Sequence, residues 1–68
     1  MAVYEVQYNY RKNYHEEILG TFVVHVRARG WQHSFDKTEE RAREYFKETL
    51  GIDSYPYWTE RKTEMIVE

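Results

Sequence analysis

Three histidines, His15, His25 and His33, are the first places to look for catalytic or metal chemistry in a chain that has no cysteine. His15-Glu16-Glu17-Ile18-Leu19 begins like a zinc-binding H-E-x-x-H helix. The second ligand of that motif would have to stand where Leu19 is, and the segment reads as loop rather than helix. His25 falls inside an alternating stretch and His33 in a connection, so neither has the close i, i+2 or i, i+4 partner of a ready metal pair. The serines are Ser34 and Ser54. Ser34 adjoins His33, but adjacent side chains rarely aim at each other, and a serine there is equally natural at a helix entry. The carboxylates fall mostly on what reads as an outer helix face, with Glu39 and Arg43 at i+4 and Glu44 and Lys47 at i+3. No nucleophile, base and orienter come together, so the sequence points to a non-enzyme with no cofactor and no metal.

Binding chemistry is better represented. Arg27, Arg29, Trp31 and His33, with Arg11 and Lys12, combine cations with an aromatic in the manner of a surface that tracks phosphates and stacks a base. The charge balance argues against a general nucleic-acid binder. The chain is formally -2; residues 1–35 hold four Lys/Arg against three Glu, and the other six cations face nine carboxylates in residues 36–68. Such binders usually carry a clear basic excess. Trp and Arg are also the types enriched in protein hot spots, which makes a protein partner, or a nucleoprotein complex, the leading expectation. Twelve aromatics (seven Tyr, two Trp, three Phe) serve first as large side chains for a small core.

The elements that position these residues follow from periodicity. From Val3 to Tyr10, Tyr4, Val6, Tyr8 and Tyr10 alternate with Glu5, Gln7 and Asn9, the pattern of a half-buried strand. Arg11 to Leu19 reads as a long hairpin loop. Thr21 to Arg29 is a second strand, with Phe22, Val24, Val26 and Ala28 on one side and Val23, His25, Arg27 and Arg29 on the other. If Tyr10 lies opposite Gly20, the apolar faces match, with Tyr8 by Phe22, Val6 by Val24 and Tyr4 by Val26, and His25 meets Glu5 across the strands.

Asp36 to Leu50 reads as an amphipathic helix whose Ala42, Tyr45, Phe46, Thr49 and Leu50 form one stripe. Asp36 with Glu39 suits a capping box, Thr38 is a competing N-cap, and Gly51 before Ile52 suits a Schellman stop. Gly30 to Phe35 is the connection, with Phe35 stapling the helix start. A last strand over Tyr57 to Val67 alternates weakly. Met65 and Val67 are placed inward, and a bulge near Thr59 to Lys62 would reconcile its two halves.

Residues 1–68 thus read as one α+β domain of ββαβ order. A right-handed crossover gives an antiparallel three-stranded sheet in order 2-1-3 with the amphipathic helix on one face. A chain of this length buries only about 60% of its unfolded surface, which leaves little room for an enclosed active site. The longest apolar runs are three residues, such as Phe22-Val23-Val24, and nothing resembles a signal peptide, so a soluble, membrane-free, cytoplasmic protein is expected.

One sheet face is left uncovered. Glu5, Gln7, His25, Arg27, Arg29 and Trp31 are expected there as the partner-binding set, and strand two as a free edge permits strand pairing in a homodimer or a self-associating structural protein. Tyr55-Pro56-Tyr57-Trp58 is a second aromatic cluster that would serve as either a binding surface or a core closure.

With its polar hairpin, one helix carrying Ala42-Arg43-Glu44 and a final strand, the chain resembles small phage proteins of this element order, among them an inhibitor of host RNA polymerase and some anti-CRISPR proteins. The resemblance implies a module that inhibits or modulates a large host complex by occlusion, with no chemistry of its own.

Overall fold

The computed structural model describes residues 1–13, 15–51 and 58–68. The chain is an α+β domain: β1 (Ala2–Arg11), β2 (Ile18–Ala28), α1 (Trp31–Leu50) and β3 (Trp58–Val67). The sheet order is β2-β1-β3, antiparallel throughout, with the helix on one face.

The β1–β2 register is the one that the apolar faces require. Tyr10 pairs with Gly20, Tyr8 with Phe22, Val6 with Val24 and Tyr4 with Val26. β2 begins earlier than its alternation suggests, at Ile18, because a register shift pairs Arg11 with Ile18 and passes over Leu19.

The core lies between β1 and the helix. Val6, Tyr8, Tyr10 and Val26 pack against Phe35, Ala42 and Phe46, with Tyr4, Phe22, Val24 and Leu50 around them. The buried stripe of α1 is Ser34, Phe35, Thr38, Ala42 and Phe46, one turn and more N-terminal to the stripe expected. Tyr45 is exposed at its edge, although its ring still lies 5.2 Å from that of Phe22.

The helix begins at Trp31 rather than Asp36. Its N-cap is Gly30 in extended conformation, with no side-chain cap, and neither Asp36 nor Thr38 caps it. Two local interactions and one with β3 hold its start instead. The Ser34 N–H donates to the Gly30 carbonyl (3.0 Å), the Arg29 N–H donates to His33 Nδ1 (3.0 Å), and the Ser34 hydroxyl lies 3.0 Å from that of Thr63 on β3. Asp36 is left on the solvent side, accepting from Gln32 Nε2. At the other end Gly51 adopts the left-handed conformation (φ 68°) and donates to the Lys47 carbonyl, closing the helix where expected.

β3 pairs with β1 without interruption from Trp58 opposite Arg11 to Met65 opposite Tyr4, so no bulge interrupts Thr59 to Lys62. The register shifts at the far end, where Val67 meets Val3. Met65 therefore shares the helix-facing side of Tyr4, as expected, whereas Val67 pairs with a residue of the other set, and both remain exposed. The weak alternation of β3 has a physical cause. Its helix-facing positions Arg61 and Thr63 are polar because each has a partner there: the Arg61 guanidinium carbon lies 4.5 Å from the centre of the Phe35 ring, and Thr63 meets Ser34.

Candidate partner-binding face

The cross-strand register lays out the uncovered face in rows. Thr21, Asn9 and Glu60 form one; Val23, Gln7 and Lys62 the next; then His25, Glu5 and Glu64; and Arg27, Val3 and Val67 lie at the end. His25 stands opposite Glu5, as the alternation predicts, and Glu5 has a second carboxylate, Glu64, on its other side.

The first row is closed at its centre only, since Thr21 and Glu60 on either side of Asn9 are themselves exposed. Asn9 is only 2% exposed although it lies away from the helix. Its Oδ1 accepts from the Thr21 hydroxyl (2.9 Å) and from Gln7 Nε2 (3.1 Å), and its Nδ2 donates to Glu60 Oε1 (3.1 Å). Glu60 in turn lies 3.8 Å from Arg11, whose guanidinium donates to the Glu16 carbonyl. A buried amide surrounded in this way is a satisfied structural network rather than a contact surface.

The remaining rows are open. Val23, His25, Arg27, Lys62 and Glu64 are exposed, and Glu5, Gln7, Lys62, Thr63 and Glu64 line a shallow depression of about 400 Å³ between β1 and β3. Its charges are mixed, Glu5, Glu60 and Glu64 against Arg11, Arg27 and Lys62, so no single-sign field is set up to collect phosphates. Among the described residues, no three histidines or carboxylates stand close enough to hold a metal ion.

The six residues expected to form the site do not all meet. Glu5, Gln7, His25 and Arg27 share the open face. Arg29 lies in the turn after β2, its backbone tied to His33. Trp31 belongs to the first turn of α1, on the helix side: its ring meets Phe35 edge-on at 6.1 Å, and it is 61% exposed. The expectation that Trp31 extends the open face failed because the helix starts five residues earlier than Asp36, which turns that side chain across the sheet. Lys62, Glu64 and Val23 complete the face in its place. Val23 was legible as an outward position of the second strand, but the register that brings it into line with Gln7 and Lys62 required the pairing itself.

Trp31 on α1, Met65, Ile66 and Val67 at the end of β3, and Ile18 and Leu19 at the start of β2 are further exposed apolar residues. The cluster Tyr55-Pro56-Tyr57-Trp58 lies, up to Tyr57, outside the described residues. No described helix is long and apolar enough to cross a membrane. Set against known proteins, the chain matches no family model, no curated protein and no solved structure.

Proposed function

We propose that this protein acts by binding and that the open sheet face is where it holds a protein partner. The observation that carries this reading is the contrast within one face: Asn9 at the centre of its row is sealed by its own hydrogen bonds, whereas the rows of Gln7, Glu5 and Val3 expose Val23, His25, Arg27, Lys62 and Glu64 beside a shallow depression. Mixed charge around an exposed aliphatic residue matches the polar rim of a protein interface. A shallow, open surface without a nucleophile and base in contact fits recognition better than catalysis. The element order shared with small phage inhibitors supports a further step: the partner belongs to a host complex that this module inhibits or modulates, and the chain comes from a phage or mobile element.

The test is capture from host lysate with wild type, Arg27→Glu, Lys62→Glu and the helix-surface control Arg41→Glu, with and without nuclease. A discrete protein held by wild type and Arg41→Glu but lost by the two face variants supports the reading. Capture abolished by nuclease transfers the role to nucleic acid, and capture indifferent to both face variants removes the face.

A further inference from the structure

We propose that the outer edge of β2 takes an extended, acidic segment of the partner as a fourth strand. This rests on the open-face reading and adds the chemistry and the mode of recognition.

The two edges of the sheet differ. β3 carries charges over its middle, Glu60, Arg61, Lys62 and Glu64, which disfavour the approach of another strand there. β2 from Thr21 to Ala28 has no lysine, proline or carboxylate. Lys37 Nζ reaches from the helix to donate to the Arg27 carbonyl (2.7 Å) on the exposed side of β2, so that carbonyl belongs to the outward set. In an antiparallel ladder the backbone groups of alternate residues point the same way. The N–H and C=O of His25, Val23 and Thr21 therefore point outward as well, as a template for main-chain pairing.

Charge sets the partner's composition. Arg27, Arg29 and Lys37 are all exposed near the end of this edge, and among the described residues none is paired with a carboxylate. An incoming strand meets three cations at one end and the exposed Val23 further along. The complementary segment has acidic residues near Arg27 and an aliphatic residue near Val23.

The test uses the full chain with two short blocked peptides, one alternating glutamate with valine and threonine, the other with lysine in place of glutamate, followed by amide hydrogen exchange. The expected result is slowed exchange at Thr21, Val23 and His25 with the glutamate peptide, several-fold weaker binding of the lysine peptide, and reversal of that order in Arg27→Glu. Val23→Pro should fold normally, because the N–H it removes is not in the ladder, and should lose the peptide. Unchanged exchange at the three amides overturns the proposal. If peptide shifts then appear at Gln7 and Lys62, the open face still binds and only the edge mode is refuted. Protection that rises with protein concentration and needs no peptide overturns it in favour of a second copy. Protection by an oligothymidylate, lost steeply with salt, overturns it in favour of single-stranded nucleic acid.

Discussion

The Tyr8 hydroxyl lies 2.8 Å from the Thr38 hydroxyl and joins the middle strand to the helix through a fully buried hydrogen bond. Thr38 donates to the Ser34 carbonyl (2.8 Å), so it accepts from Tyr8, with the Phe35 carbonyl 3.2 Å away as an alternative acceptor. Tyr8→Phe keeps the ring packing against Phe22 and Phe35 and removes this link. The expected loss is about 1 kcal/mol in urea unfolding, since Thr38 keeps its own acceptor.

Burial, outweighing the contact with the Thr38 hydroxyl, holds the Tyr8 hydroxyl above the usual tyrosine pKa of 10.0. The folded state therefore keeps this proton longer than the unfolded chain does. Its contribution to stability is complete below the ordinary tyrosine range and is lost as pH rises through the raised value. Alkaline titration of stability should show this fall in the wild type and a shallower one in Tyr8→Phe.

At Gly20 the end of the helix lies against the sheet: a β-carbon there would stand 3.0 Å from Leu50 Cδ1 and 3.4 Å from Phe46. Gly20→Val is expected to cost about 1–3 kcal/mol through overpacking. Adding Leu50→Ala should make the double variant more stable than the two separate losses imply, which a double-mutant cycle measures.

Asn9→Ala should destabilise the fold by about 1–2 kcal/mol, because Thr21, Gln7 and Glu60 lose their common partner although each keeps access to water. Partner capture should persist at concentrations where this variant is folded, since Asn9 itself is buried.

Much of this architecture was legible from residue patterns, and the failures have two separate causes. Tyr4, Val6, Tyr8 and Tyr10 fixed the register with β2 because a slip of one residue would expose every one of them. β3 offered no such constraint: Arg61 and Thr63 sit on the helix-facing side with partners that only the folded chain brings near, Phe35 and Ser34. The helix start was misread because Asp36 has the chemistry of a cap, while the actual start rests on backbone bonds at Gly30 and on His33, a residue with no capping signature. That shift of five residues moved Trp31 off the predicted face, yet left Glu5, Gln7, His25 and Arg27 where alternation put them.

Trp31→Ala separates the exposed indole of α1 from the open sheet face. Loss of its edge contact with Phe35 should cost about 1 kcal/mol of stability and leave partner affinity unchanged. Titration of the captured partner with this variant and with Arg27→Glu checks which region carries the binding.

The most direct test is NMR cross-saturation from the unlabelled captured partner to the labelled chain. Binding through the open sheet face predicts saturation at the Val23 methyls, the His25 ring and the Gln7 side-chain amide, with the Trp31 indole and the outer positions of α1 untouched. Saturation centred on Trp31 and Met65, with Val23 and His25 unaffected, would contradict it.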